Sequence, residues 1–281
     1  VHDAVKPIKP WVELSSSPIG KYRSTSRYSA GGWNGFDAVW QDPVLWLEKN
    51  YQDMLFPMMH FTGNNYYPFL FQWLEKSHGH PIVPGLGIYF LDPREGRWTL
   101  NEVRAEMHTA RNSGIGGMAF YRGEFLTKNF KGIYDTACEE FFPYPALTAR
   151  MIWMGDTIAP PAPTSIIYKD GILVWQAPQS PKGELLYNVY GSNVYPVDVT
   201  KAENLLATRV RDTHWELNAR AQKVRHYAVT AIDRFGNESP AVQEMKTTFE
   251  LPTHINVPRL INRDEKGARK PAKGKKKKKR G

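Results

Sequence analysis

Two kinds of apolar patterning divide the chain. From Val5 to about Phe142, short apolar runs bounded by Gly and Pro alternate with stretches of helical spacing. The clearest run is Gly79-His-Pro-Ile-Val-Pro-Gly-Leu-Gly-Ile-Tyr-Phe-Leu91, uncharged from Ile82 onward, as expected of a strand covered on both faces in a parallel sheet. Helical patterns flank it. One spans 66–76; the other opens with Thr99-Leu-Asn-Glu102, a capping box, and ends at Asn112-Ser-Gly114. The same alternation predicts strands over 5–16, 53–61 and 116–121. It predicts further helices from Asp42-Pro43 to about Tyr51, with Asp as cap and Pro in the first turn, and from Thr127 to about Phe142. Pro57 suits a central strand poorly, so a bulge or strained carboxyl end is expected there. Four strands alternating with four helices define a parallel α/β architecture. Either a doubly wound sheet or half of an eight-stranded β/α barrel satisfies it.

A Pro-rich linker, 156–163, separates this region from one of different character. Val174-Trp175, Leu186 to Tyr190, Trp215 to Leu217 and His226 to Ala231 are short strands with turns between them, the pattern of an all-β sandwich over 164–250. A long polar loop, Gly20 to Gly35, interrupts the α/β region. Loops of that length inside a compact domain are usually functional or mobile.

Charge changes the picture only at one end. The net charge is +9, but residues 259–281 hold twelve Lys/Arg against Asp264 and Glu265, leaving 1–258 at −1. The basicity belongs to an expected disordered tail, 251–281, whose Lys275 to Lys279 would bind polyanions. No run of about 18 apolar residues predicts a membrane span. The chain opens at Val1 and reads as a segment of something longer. Cys138 is alone, at helical spacing with Tyr134, Phe141 and Phe142, and reads as a packed helix residue. No cofactor is expected: Gly85-Leu-Gly87 and Gly114-Ile-Gly-Gly117 neither follow a strand nor open a helix as a phosphate loop would.

Several stretches carry a resemblance: Ile8-Lys-Pro-Trp-Val12, Ser17-Pro-Ile-Gly-Lys-Tyr-Arg23, Gly32-Trp-Asn34, Gln41-Asp42, Gln52-Asp-Met-Leu-Phe-Pro-Met-Met59, Pro84-Gly-Leu-Gly-Ile-Tyr89 and the segment from Gly117 to Phe125. On these, residues 5–155 resemble the bacterial glycosyl-hydrolase-like 10 family, the DUF187 group. Their order matches the carboxyl half of that family's (β/α)8 TIM barrel, strands five to eight. Trp175, Tyr190 and Tyr227, followed by Ala-Val-Thr-Ala-Ile-Asp-Arg-Phe-Gly-Asn-Glu-Ser239, resemble a fibronectin type III module. The resemblance implies an α/β plus all-β protein: half a barrel over 1–155, a sandwich and a basic tail. It implies a polysaccharide substrate such as cell-wall glycan, and a secreted, periplasmic or cell-surface location. It also implies that the barrel's amino-terminal half, with the family's Asp-Gly-x-His-x-Asp-Asp-Tyr motif, is a missing partner, so that this chain is inactive alone. The alternative is a non-catalytic carbohydrate-binding or cell-surface module.

Glycoside hydrolysis normally uses two carboxyl groups, roughly 5–5.5 Å apart for retention and roughly 6.5–9.5 Å for inversion. In a β/α barrel they lie at the carboxyl ends of strands. Glu124, just after the fourth strand, and Glu13, in the first, are the catalytic candidates. Asp92 and Glu95 read as members of a solvated turn. Substrate contacts are expected from Ser17, Tyr22, Arg23, Trp33, His60, Tyr66, Tyr67, Tyr89, Tyr121 and Arg122, because sugars stack on aromatic rings and bond to polar donors. Ordinary packing is the competing reading for each aromatic. His78-Gly-His80 lacks a third metal ligand nearby and reads as a loop. Ser15-Ser-Ser17 lacks the surroundings of a nucleophile elbow.

Overall fold

Proline and left-handed residues cut the expected elements short. The structure, a computed structural model, describes residues 1–243. It opens with a helical turn, α1 (His2–Val5), ahead of the expected first strand. Pro7 and Pro10 lack the amide hydrogens a ladder needs, and pairing begins only at β1 (Ser15–Ser16). The polar loop then yields α2 (Gly35–Val39), capped by the Asn34 side chain accepting from Asp37 N at 2.8 Å. In α3 (Pro43–Glu48) Asp42 accepts from Leu45 N at 3.2 Å, the cap the sequence predicts. β2 (Met54–Leu55) stops before Pro57. Then come α4 (Tyr67–Glu75) and β3 (Gly85–Leu86). The expected strand does not run on to Leu91, because Ile88–Leu91 coil into a 3-10 turn. α5 (Leu100–Asn112) carries the full Thr99/Glu102 capping box, and β4 (Ala119–Phe120) follows. The long helix expected from Thr127 is broken into α6 (Gly123–Thr127), α7 (Ile133–Thr136) and a π-turn over 137–141. Asn129, Lys131 and Gly132 all have positive φ between α6 and α7, which a continuous right-handed helix cannot contain.

The four short strands are parallel and lie side by side in chain order. Ser15 and Ser16 face Met54 and Leu55, and Gly85 and Leu86 face Ala119 and Phe120. A parallel bridge from Leu55 to Ile82 joins the pairs, through Val83 N donating to Leu55 O at 2.8 Å and Gly85 N to Pro57 O at 2.9 Å. β1 and β2 continue beyond their ladder at a close approach: a Cβ on Gly20 would lie 2.1 Å from the Met58 carbonyl oxygen. One face of the sheet is filled. Leu55, Met59, Ile82, Leu86 and Ile88 pack with Phe69, Leu70, Trp73, Val103 and Met107 from α4 and α5. Full burial of such side chains contributes ~1.5–3 kcal/mol each. The opposite face carries exposed Ser15, Ser17, Met58 and Tyr121 and half-buried Met54, Phe56 and His60. Parallel sheets are ordinarily covered on both faces; among the described residues, helices cover only one.

The second region is a two-sheet sandwich. Its strands are β5 (Ile166–Lys169), β6 (Ile172–Trp175), β7 (Leu186–Ser192), β8 (Leu205–Val210), β9 (His214–Glu216) and β10 (His226–Ile232). One antiparallel sheet has the order β5-β6-β9 and the other β10-β7-β8. Ile166, Leu173 and Trp175 meet Tyr187, Val189, Tyr227 and Val229 between them. The Pro-rich linker is fastened. Met151 N donates to Phe235 O at 2.9 Å, and Arg150 to Asn237 Oδ1 at 2.8 Å. Lys182 Nζ reaches Asp156 and buried Asp233 at 2.8 Å each. The end of the expected sandwich and the whole basic tail lie outside the described residues.

Candidate active site

The carboxyl ends of β2, β3 and β4 bring three expected contact residues together. His60 stacks on Tyr121 with ring centroids 5.1 Å apart and planes at 23°. It meets Tyr89 edge-on at 5.5 Å, and Tyr89 meets Tyr121 at 5.6 Å. Tyr89 N donates to Tyr121 O at 3.2 Å, which ties the strand ends. Gly87 makes this possible: a Cβ there would lie 3.0 Å from His60 Cβ. Burial lowers the His60 pKa below its usual value, so its imidazole is neutral near pH 7, with one nitrogen donating and the other accepting. Tyr121 is 52% exposed and offers its ring and hydroxyl to a ligand. Arg122, exposed beside it, lies 3.6 Å from Glu124 and 3.9 Å from Glu95. Ser17 is exposed on the same open face, at the end of β1. In the turn after β3, Arg94 clamps Asp92 at 2.6 Å, and its hydrogen bonds bring that carboxyl down to about 2.

Other expected contacts belong to the packed interior. Tyr22 is 5% exposed, and its hydroxyl donates to Asp42 at 2.9 Å. Burial, with the Asp42 carboxylate, pushes it up to about 12. Tyr66 is completely buried, and Tyr67 packs half-buried at the core margin. The Arg23 guanidinium lies over the Phe36 ring at 3.6 Å. Tyr22 and Tyr66 are thus buried in the packed interior, and Arg23 and Tyr67 are half-buried at its margin. An aromatic beside a strand end reads the same in sequence whether it faces core or groove, and only the helix packing decides. Trp33 is 64% exposed in the long loop and makes no ring pair with the cluster among the described residues.

Glu124 lacks the environment of a protonated acid, and Glu13 stands at the other end of the sheet. Glu124 pairs with Lys128 at 2.6 Å, one helical turn on. That hydrogen bond lowers its pKa, whereas a general acid needs a raised one. Glu13 stands before β1, at the amino end of the sheet. Its pKa is raised, first by burial and then by the charge of Asp53, but it lies at the opposite end from His60, Tyr89 and Tyr121. Expected within the first strand, Glu13 instead precedes its paired residues, Ser15 and Ser16.

At that amino end, Asp53 accepts from Lys6 Nζ, Leu14 N and the Trp153 indole at 2.7–2.8 Å. His80 is part of this network: its ring nitrogens meet Asp53 O at 3.1 Å and Asn50 Oδ1 at 3.0 Å. Ser16 Oγ donates to Gln52 at 2.6 Å, and Cys138 is half-buried. No cluster of three potential metal ligands exists among the described residues.

Two residues escaped sequence reasoning. Lys21 is buried, donates to Asn65 Oδ1 at 2.7 Å and lies 4.8 Å from both the Phe61 and Phe69 rings. Burial lowers its pKa. Its one signal is a lysine placed between Gly20 and Tyr22. Glu106 is fully buried on α5 with neither carboxyl oxygen bonded among the described residues, and burial pushes it up to about 9. A glutamate falling among Val103, Met107 and Ala110 on the helix's buried face was its signal.

This geometry, with rings and polar donors at the carboxyl ends of parallel strands, agrees with what comparison with known proteins finds: similarity to a glycosyl hydrolase. The relative is glycosyl hydrolase YngK of Bacillus subtilis (strain 168), 26% identical over 263 residues that cover 86% of this chain. The chain spans 51% of that relative's length. No family profile matches the chain, and no solved structure matches it. No helix among the described residues is long and apolar enough to cross a membrane.

Proposed function

We propose that residues 5–155 are the carboxyl half of a glycoside hydrolase barrel of the glycosyl-hydrolase-like 10 type, followed by a fibronectin type III module. The substrate is a bacterial polysaccharide such as cell-wall glycan, met outside the cytoplasm or at the cell surface. The observation that carries this reading is the His60–Tyr89–Tyr121 cluster at the carboxyl ends of parallel strands, in a chain similar to a glycosyl hydrolase. Active sites of β/α barrels sit at that end. Four parallel strands in chain order with one uncovered face support half a barrel, since a closed barrel covers both. In this reading the amino-terminal half supplies the catalytic acids, and this half supplies Tyr121, His60, Arg122 and Ser17 as substrate contacts. The lowered pKa of Glu124 also supports the second reading, a binding module without hydrolysis.

Release of reducing ends from cell-wall glycan tests this, with the chain alone and mixed with the separately expressed amino-terminal half of a homologous barrel. Hydrolysis only in the mixture is the expected result. Hydrolysis by the chain alone places the acids within it and returns Glu124 to consideration. Glycan binding without hydrolysis in a properly assembled complex establishes the binding module.

A further inference from the structure

Three adjoining hollows open around Trp11, between the amino end of the parallel sheet and the sandwich. The middle one has a volume of about 250 Å³ and is lined by Trp11, Glu184, Leu186, Arg209, Arg211 and Arg234. Its neighbours, of about 330 and 150 Å³, share Trp11 and Arg234 with it. Three guanidinium groups therefore face one carboxylate. Among the described residues only Arg234 is paired, with Glu184 at 2.8 Å, and its guanidinium also lies 4.3 Å from the Trp11 ring centroid. Arg209 bonds to the neutral hydroxyl of Thr148 at 3.2 Å. Arg211 makes no ion pair or side-chain hydrogen bond among the described residues. Glu13 lines the smallest hollow together with Arg209, and the middle one stays positive.

The backbone singles out Arg209. The β7–β8 ladder slips by one residue beside Asn188, and Arg209 there takes a φ of 56°. Asn188 Oδ1 accepts from Arg209 N at 3.2 Å. The left-handed conformation costs an L-residue roughly 1–2 kcal/mol, and glycine takes it freely. Bulges of this kind re-aim a side chain. An arginine kept where glycine is the low-energy residue points to a use for its guanidinium.

We propose that this hollow is an oxyanion-binding subsite. It takes the carboxylate or phosphate of a ligand no larger than one charged sugar residue. Arg209 and Arg211 are its donors and Trp11 its apolar floor. Guanidinium forks match planar carboxylates and phosphates in two parallel hydrogen bonds. A volume of about 250 Å³ falls just below the roughly 300–1,000 Å³ of ordinary ligand pockets, which suits a single charged residue. The subsite stands apart from the carboxyl-end rings, and its occupancy does not depend on hydrolysis.

The test follows the Trp11 indole N–H resonance of the full chain while inorganic phosphate, glucuronate or glucose is added at fixed ionic strength. A site-resolved signal separates this hollow from the lysine-rich tail. Saturable shifts with phosphate and glucuronate, and none with glucose, are expected. Glucuronate binding more tightly than phosphate identifies an acidic sugar as the source of the anion, and equal binding identifies the oxyanion alone; both support the subsite. Arg211→Ala should weaken binding about tenfold, the worth of one charged hydrogen bond. Arg209→Gly should weaken it as much while leaving the melting temperature equal or higher, since it relieves the left-handed residue. Shifts that do not saturate, or that persist unchanged in both variants, overturn the proposal.

Discussion

The two ends of the parallel sheet treat buried polar atoms in opposite ways. At the amino end the buried polar groups are engaged: Asp53 holds Lys6, Leu14 and Trp153, and His80 lies within hydrogen-bond distance of Asp53 O and Asn50. At and beneath the carboxyl end, the Tyr66 hydroxyl, both oxygens of Glu106 and Arg23 Nε are buried without a partner among the described residues. An unmet buried donor or acceptor costs about 1–3 kcal/mol. The amino end is thus built for stability, and the carboxyl end retains polar capacity that its own packing does not use. This division suits a protein that works at the carboxyl end.

Asp53→Ala tests the contrast hardest. It strands the Lys6 ammonium, whose side chain is only 9% exposed, and should cost about 3–5 kcal/mol in denaturant unfolding. A loss below about 1 kcal/mol would erase the distinction between the ends.

Glu106→Gln comes next. An unfolded glutamate ionises near its ordinary value of 4.5, while burial raises Glu106 to about 9 in the fold. The folded state holds the extra proton, so stability falls as pH rises from about 4.5 toward 9. Between pH 4.5 and 7 the loss is on the order of 3 kcal/mol, at ~1.4 kcal/mol per pH unit. Glutamine cannot ionise, so the stability difference between variant and parent should grow with pH over that range. A pH-independent difference would mean that Glu106 is solvated or paired.

At the carboxyl end, Tyr121→Ala should lower affinity for soluble glycan fragments roughly three- to tenfold, the worth of one aromatic contact. Its effect on unfolding should stay under about 1 kcal/mol, because the ring is half exposed. A stability loss rivalling that of Asp53→Ala would make the ring cluster a packing device. Glu124→Gln should have the smallest effect: an unchanged unfolding midpoint and unchanged hydrolysis by the assembled protein. Loss of hydrolysis would establish Glu124 as catalytic after all.

Much of the local structure is legible in the chain itself. Asp42-Pro43 and Thr99/Glu102 announce their helices because the cap chemistry is contained within four residues. The strands are legible as positions but not as lengths, because an apolar run does not show how many of its amides find a partner. Ile88 to Leu91 look like strand and coil instead. The break at Asn129, Lys131 and Gly132 is legible only in part: Asn and Gly favour the left-handed conformation, whereas Lys131 gives no signal of it. For the site, His60, Tyr89 and Tyr121 come together because each follows a strand, a topological fact that alternation reveals. Tyr22 and Tyr66 satisfy the same rule and turn inward, which depends on where α3 and α4 lie.

The fastened linker has a mechanical consequence. Lys182, Asp156 and Asp233, together with Arg150–Asn237 and Met151–Phe235, splice the sandwich to the sheet near Trp11 and Asp53. Tension applied through the sandwich enters at the well-bonded amino end. The rings of His60, Tyr89 and Tyr121 lie at the far ends of the strands and are the last to feel the load.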